Sequence, residues 1–249
     1  MVNAKVEDPT TDAEASEDPT SAGAVDSALA SGGTGDGAFD PLGDEWANTL
    51  THALGTMLAL AGWALIAWLM WDRPFGITVA CWVYAASVFS VFFFSTLSHA
   101  VRHPSGRQLM RAWDQGTIYL MIAGTYTPFL WFYCLPAWRF PVLVAVWGLA
   151  AAGFLAKVML RHRVNAIATP TYLMLGWLPA LPMIPRIPDP MPWTCFYGML
   201  AGGVLYTLGV VFLQLDQKVR FFHAAWHLFV IAAAATHFLT IVFCIATQS

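Results

Sequence analysis

Apolar residues in this chain form long runs, and charged residues separate one run from the next. A helix needs about 20 mostly apolar residues to cross a bilayer. From residue 46 onward the pattern predicts seven spans, at about 47–71, 75–98, 114–135, 141–160, 166–184, 193–213 and 223–247. Six prolines between Pro179 and Pro192 should end the fifth helix and make the next connection an extended loop, because proline lacks an amide donor and clashes with the preceding turn. We therefore expect an all-α integral membrane bundle of seven transmembrane helices.

Composition divides the chain into two parts. The whole chain is 58% hydrophobic and 11% charged, whereas soluble proteins carry about 25% charged residues. Residues 1–45 hold eleven acids against Lys5, a net charge of −10, and residues 46–249 hold four acids against eleven Lys and Arg, a net charge of +7. The first part is rich in small and acidic residues and has Phe39 as its only aromatic. We predict a disordered acidic tail over 1–45, without a secretory signal peptide, and a membrane domain over 46–249.

Basic residues predict the orientation of the bundle. Seven spans put the termini on opposite sides, and cytoplasmic loops carry the excess of Lys and Arg. The side of the tail holds seven basic residues, namely Arg102, Arg107, Arg111, Arg161, Arg163, Lys218 and Arg220, against Arg73, Arg139 and Arg186 on the other side. Lys157 lies one turn inside the membrane, where we expect it to snorkel toward that same interface. We expect a cytoplasmic N-terminus, an outer C-terminus and a location in the plasma (inner) membrane.

The four cysteines show no metal or redox motif. Cys81, Cys134, Cys195 and Cys244 are widely spaced, without a C-x-x-C pair. All four fall in the predicted outer half, where a disulfide is chemically permitted. We nevertheless expect four small buried apolar side chains rather than a bridge.

Three histidines are predicted to meet at one membrane face. His223 and His227 open the seventh span four residues apart, which places both on one helix face, and His99 ends the second span at the same depth. Three imidazoles that leave one position open for water are a typical zinc ligand set. The alternative is a hydrogen-bonded polar cluster that packs helix ends together. His52 and His237 lie elsewhere in their helices, and we expect each to be a buried, hydrogen-bonded side chain.

Asp114 is the carboxylate predicted to lie closest to these histidines. It opens the third span at the depth of His99, so it can hydrogen-bond a water on the metal or a ligand histidine. Ser95 lies one turn before His99 on the same face, and its hydroxyl could polarise a substrate carbonyl or simply bond to its own helix. Asp216 is expected to be solvated beside Lys218 and Arg220.

At these positions the chain resembles the progestin and adipoQ receptor / hemolysin III family of seven-helix membrane proteins. The resemblance covers about residues 44–247 and rests on Glu45–Gly55, Ser95–His99, Asp114, Ile122–Pro128, His223–His227 and His237–Phe238. It implies a bundle with the N-terminus inside and a zinc ion held by His99, His223 and His227. It also implies that Asp114 acts through the water on that zinc, with Ser95 beside it. Some members are linked to ceramide hydrolysis, and others to lytic activity.

Two functions remain open from the sequence. The first is a zinc-dependent intramembrane hydrolase of lipid amide or ester bonds, with Asp114 as general base and Ser95 stabilising the oxyanion. The second is a receptor-like or hemolysin-like membrane protein in which zinc is structural. Ion transport is disfavoured, because the ionisable groups collect at one face instead of crossing the membrane. The expected partners are membrane lipids, including a ceramide-like substrate, and no nucleic acid; the oligomeric state stays open.

Overall fold

A computed structural model describes residues 41–216 and 218–248, except for the side chains at 41–44, 161, 162, 165 and 166. The predicted disorder of residues 1–40 lies outside the described residues. Helix α1 begins at Pro41, so Glu45 belongs to this helix and not to the tail, where the sequence analysis placed it. Within the described ranges the chain is helical and contains no strand, which confirms the all-α prediction.

Seven α-helices correspond to the seven predicted spans, although the third begins about ten residues before its predicted start and the fifth ends about seven residues before its predicted end. Their bounds are α1 Pro41–Leu69, α2 Phe75–Ala100, α3 Pro104–Tyr133, α4 Pro136–Leu160, α5 Asn165–Trp177, α6 Trp193–Leu215 and α7 Phe222–Ile241. A 3-10 turn, Arg161–Val164, precedes α5, and a π-helical segment, Val242–Ala246, continues α7.

Six of the described segments are long and apolar enough to cross a membrane, and they include every one of these helices except α3. Helix α3 is less apolar for a structural reason. Most of its side chains from Gly116 to Tyr133 are buried against other helices, so they do not have to be lipid-compatible. Its small and hydroxyl-bearing residues suit a central helix.

The proline-rich stretch after α5 differs from the prediction of an extended loop. Leu178–Arg186 forms a 3-10 helix that continues the path of α5. Pro179, Pro182 and Pro185 recur every three residues, which matches the three residues per turn of a 3-10 helix. The φ angle that the proline ring imposes also suits this helix.

Close packing of α2 against α3 positions part of the later site. A Cβ added at Gly124 would lie 2.0 Å from the Ser87 hydroxyl oxygen. The two backbones therefore approach as closely as they do because residue 124 has no side chain. This fixes α2, which carries His99 in its last turn, against α3, which carries Asp114.

The two ends of the bundle are chemically different. One end, the histidine end, holds His99, His223 and His227. The opposite end, the disulfide end, holds a bridge between Cys195 in the first turn of α6 and Cys244 after α7. The expectation that no bridge forms is therefore wrong for this pair, whereas Cys81 and Cys134 are buried and free as expected.

Candidate metal centre

His99, His223 and His227 converge at the histidine end. One ring nitrogen from each lies within 4.8 Å of a ring nitrogen of the other two. The ring centroids of His223 and His227, one turn apart on α7, are 4.5 Å apart, and each is 5.3 Å from that of His99 on α2. His227 is only 1% exposed, so this cluster reaches into the bundle interior. The structure thus brings together the three residues that the sequence analysis selected as ligands.

Carboxylates engage two of these imidazoles at Nδ1. Glu45 Oε2 lies 2.9 Å from Nδ1 of His99, and Asp216 Oδ2 lies 2.7 Å from Nδ1 of His223. An ionised carboxylate only accepts hydrogen bonds, so Nδ1–H is the donor in both pairs. The lone pair of each neutral ring is then on Nε2, which is the atom left for a metal.

Thr51 accepts a hydrogen bond from Nδ1 of the third imidazole, that of His227. Its Oγ1 lies 3.1 Å from Nδ1 of His227, and it also lies 2.9 Å from the Ala47 carbonyl and 3.0 Å from the Asn48 carbonyl. The hydroxyl donates its single proton to those carbonyls, so it accepts from His227 Nδ1–H. All three candidate ligands therefore present Nε2 in the same tautomer.

Glu45 is a member of the site that the sequence analysis missed. Besides His99, it pairs with Arg107, and its Oε1 lies 3.7 Å from the Arg111 guanidinium. Its position in the acid-rich first part of the sequence concealed this role. A usable signal was present, because Glu45, Asn48 and His52 share a helix face by their spacing of three and four, and Asn48 and His52 are buried.

Asp216 is not the solvated residue that we expected. Its side chain is 12% exposed and faces His223 across the turn between α6 and α7. Phe221, in this turn, adopts a left-handed backbone with φ of 62° directly before α7 begins. This conformation is uncommon for a bulky residue. It turns the chain sharply enough to bring residue 223 back to the end of α6.

Asp114 lines the same cavity as His223 and His227 but does not belong to the group of residues whose ligand atoms lie within 4.8 Å of one another. The Ser98 hydroxyl lies 3.0 Å from Asp114 Oδ2 and can donate to it, and Ser95 lies next to the same carboxylate. Ser95 and Ser98 are 3% and 0% exposed. The structure thus brings Ser95 and Asp114 together, and it adds Ser98, which the sequence analysis overlooked and which follows Ser95 by three residues in α2.

His52 and His237 lie outside the ligand set. His52 packs its ring 3.7 Å, centroid to centroid, from that of His227. Within the described residues its Nδ1 has no hydrogen-bond partner, so the expectation of a hydrogen-bonded His52 is wrong for that atom. His237 donates from Nε2 to the Met199 carbonyl at 3.0 Å, as expected of a buried histidine, and its Nδ1 likewise lacks a partner in the described part of the chain.

A mostly apolar cavity of about 660 Å³ adjoins the histidine cluster. Its polar end is formed by Ser95, Asp114, His223 and His227, and it extends along α3, α5, α6 and α7 as far as His237. This volume is in the range of small-molecule pockets. The cavity is therefore large enough to hold an apolar chain next to the histidines.

The donor set fits a divalent transition metal. Nitrogens bound to a tetrahedral zinc ion at about 2.0–2.1 Å are about 3.4 Å from one another. Because the candidate nitrogens lie within 4.8 Å of one another, side-chain shifts of about 1 Å would bring them to that spacing. The site could hold such an ion with a position left for water or substrate.

Comparison with known proteins gives the family. The profile of the family described as haemolysin-III related matches residues 42–238. Hemolysin-3 of Bacillus cereus is 36% identical over 203 residues, which cover 80% of this chain and 91% of that protein. The Hemolysin-3 homolog of Bacillus subtilis (strain 168) is 32% identical, with coverage of 80% and 93%.

Similarity extends to animal proteins. The human monocyte to macrophage differentiation factor is 31% identical over 204 residues, which cover 78% of this chain and 82% of that protein. No solved structure matches the chain. Together with the apolar helices, these matches confirm the resemblance drawn from the motifs: the chain is an integral, multi-pass membrane protein that belongs to the hemolysin III / progestin and adipoQ receptor family.

Proposed function

We propose that the protein is a zinc-dependent intramembrane hydrolase of lipid amide or ester bonds, ceramide-like amides among them. One observation carries the proposal: a three-histidine ligand set, Asp114 and Ser95 meet at the end of an apolar cavity inside a membrane bundle. A metal without this cavity would have no place for a lipid, and without Asp114 the described lining of the cavity would contain no carboxylate.

His99, His223 and His227 would hold the ion through Nε2. Zinc bound by three neutral ligands would act as a Lewis acid and would lower the pKa of a coordinated water from about 15.7 toward 7. Asp114 would accept the proton of the attacking water and pass it to the leaving amine or alkoxide as the C–N or C–O bond breaks. Ser98 holds this carboxylate through a 3.0 Å hydrogen bond. The Ser95 hydroxyl, which lies next to the Asp114 carboxylate, would turn to donate a hydrogen bond to the substrate carbonyl oxygen, where negative charge develops.

The cavity supports a lipid as the substrate. Several of its apolar lining residues are accessible in the isolated chain, including Trp177 at the end of α5 and Leu178 and Leu181 in the 3-10 helix that follows. An acyl chain would pack against these side chains. The apolar wall then excludes water from all but the polar end.

We also propose that the histidine end lies at the cytoplasmic side of the plasma (inner) membrane. Basic residues are concentrated in the loops of that end. The disulfide lies at the opposite end, as expected if that end faces an oxidising compartment.

A second function has a specific observation in its favour. Glu45 and Thr51 on α1, together with Asp216 after α6, hydrogen-bond the three histidines, so a bound ion would tie several helices together. In a receptor-like or hemolysin-like protein that ion would be structural. Its removal would then lower thermal stability, and no lipid would be consumed.

The test compares zinc content with lipid turnover. Purified wild-type protein is expected to contain about one zinc per chain and to release fatty acid from a panel of ceramides and ester lipids. Asp114→Asn should keep its zinc and lose turnover by at least about a hundredfold. Asp189→Asn, which changes an exposed carboxylate in the connection to α6, is the matched control and should retain turnover. Full turnover by Asp114→Asn, or a zinc-loaded wild type that consumes no lipid in the panel, overturns the proposal.

A further inference from the structure

His52 lies at the polar end of the cavity without belonging to the candidate ligand set. It is carried by α1, is 5% exposed and lines the cavity. The centroid of its ring is 3.7 Å from that of His227 and 6.1 Å from that of His99. The steps proposed above for Asp114 and Ser95 make no use of this imidazole.

Neighbouring rings fix the position of His52. The ring of Phe92 on α2 packs beside it, with the two centroids 5.8 Å apart. Phe92 can approach α1 this closely because Gly55 has no side chain, since a Cβ there would lie 2.5 Å from Cδ1 of Phe92. Phe92 and His99 are seven residues, or about 10.5 Å, apart along α2, and the His52 ring is close to both. It therefore lies between them, at the level of Ser95.

The two ring nitrogens of His52 have different surroundings. Nδ1 is sealed from solvent and has no hydrogen-bond partner among the described residues. Nε2 has no partner among them either, but it is not sealed, so it belongs to the part of the ring that the cavity reaches. A neutral imidazole carries one N–H and one lone pair. A proton on Nδ1 would make a buried N–H without an acceptor, which is rare in proteins, so we assign the proton to Nε2.

We propose that His52 is a further catalytic residue, whose Nε2–H donates a hydrogen bond to the carbonyl oxygen of the lipid amide or ester. Ser95 on α2 and His52 on α1 would then approach the same oxygen from two helices. Negative charge develops on this oxygen when water attacks the carbonyl carbon, and donors that are already in place stabilise it. His52 keeps its proton throughout, so the proton transfers through Asp114 are unchanged. The assignment rests on the proposed function and adds a residue to its chemistry.

Kinetics of His52 variants measure the contribution of this donor. On the best substrate in the panel of ceramides and ester lipids, His52→Phe keeps a ring and should lower kcat by about a hundred- to a thousandfold. KM should change little, because the bond strengthens only as charge develops. His52→Gln, whose amide N–H replaces Nε2–H, should recover most of the loss. His103→Phe, which changes an exposed histidine, is the control and should keep the wild-type kcat.

Zinc content and melting temperature distinguish this role from three others. If His52→Phe loses zinc together with turnover, His52 is a metal ligand. If it lowers the melting temperature in detergent and keeps kcat, the ring only packs α1. If His52→Gln is as inactive as His52→Phe while both keep their zinc, the imidazole transfers a proton instead of holding one. Each of these results overturns the proposal. His52→Leu, which has no ring to overpack the site, should reproduce the loss of kcat.

A ligand that cannot react separates this inference from the hydrolase proposal. Methyl pentadecyl ketone carries a carbonyl on a long chain and has no leaving group, and isotopic labelling of its carbonyl carbon separates its infrared band from those of the protein. In full-length wild type, the hydrogen bond from His52 should lower the C=O stretching frequency of the bound ketone relative to His52→Phe, and His52→Gln should restore the shift. Equal frequencies in wild type and His52→Phe overturn the inference even if lipids are hydrolysed. A shift without any lipid turnover supports the hydrogen bond from His52, and only the hydrolase proposal then fails.

Discussion

Helices α6 and α7 are joined at both ends of the bundle, but by different chemistry. At the disulfide end, Cys195 and Cys244 connect them covalently, and the Tyr133 hydroxyl donates to the Cys244 carbonyl at 2.7 Å. At the histidine end, the short connection after Leu215 joins them along the chain, and Asp216 hydrogen-bonds His223 at 2.7 Å. The disulfide fixes its end of the two helices whether or not a ligand is bound. The side chains at the histidine end can adjust by the small distance that an ion requires, so this end suits a binding site.

The largest effect should follow from removing an imidazole at the histidine end. His99→Ala leaves two nitrogens on α7 for the ion, and we expect zinc to fall from about one per chain to less than about a tenth. Inductively coupled plasma mass spectrometry of purified protein measures this content. His103→Ala, which changes an exposed histidine just before α3, should keep the full zinc content. Equal zinc in both variants would show that the cluster is not the metal site.

The apolar runs and the spacing of the histidines in the sequence were sufficient to predict that His99, His223 and His227 meet. Seven apolar runs predicted the helices, and the four-residue spacing of His223 and His227 predicted their shared face. The depth of His99 followed from counting spans. These inferences depend only on helix geometry and on the length of helix needed to cross a bilayer. Neither of these depends on how individual side chains pack.

Side chains whose environment depends on packing were predicted poorly. Asp216 appeared solvated because Lys218 and Arg220 follow it in sequence, but the turn at Phe221 faces it toward His223. Lys157 was expected to snorkel to the membrane interface, but it is 2% exposed and lies on the buried face of α4. Disulfide connectivity cannot be deduced from scattered cysteines, so the Cys195–Cys244 pair required the fold.

The second largest effect is expected from removing the disulfide, which should lower the stability of the protein. Replacing both Cys195 and Cys244 by serine removes a crosslink between residues 49 apart in sequence, and such a loop contributes about 2–4 kcal/mol to the free energy of unfolding. We expect a lower melting temperature in detergent, measured by the loss of native tryptophan fluorescence. Zinc content should be unchanged, because Cys244 lies about 30 Å along α7 from His223. Loss of zinc in this variant would contradict the independence of the two ends.

The smallest effect is expected at Glu45, whose carboxylate orients the candidate ligand His99 without being a ligand itself. Glu45→Gln keeps the size and an acceptor oxygen for His99 Nδ1–H but removes the negative charge that also pairs with Arg107. Loss of such a partner typically weakens metal affinity by about 10- to 100-fold, and we expect a value near the lower limit because the acceptor remains. Competition with a chelator of known affinity measures the zinc dissociation constant, with Asp72→Asn at the other end of α1 as the control. If Glu45 only anchors α1, the metal-free protein melts earlier and the zinc affinity is unaltered; if it positions His99, the affinity falls even where the melting temperature of the metal-free protein does not.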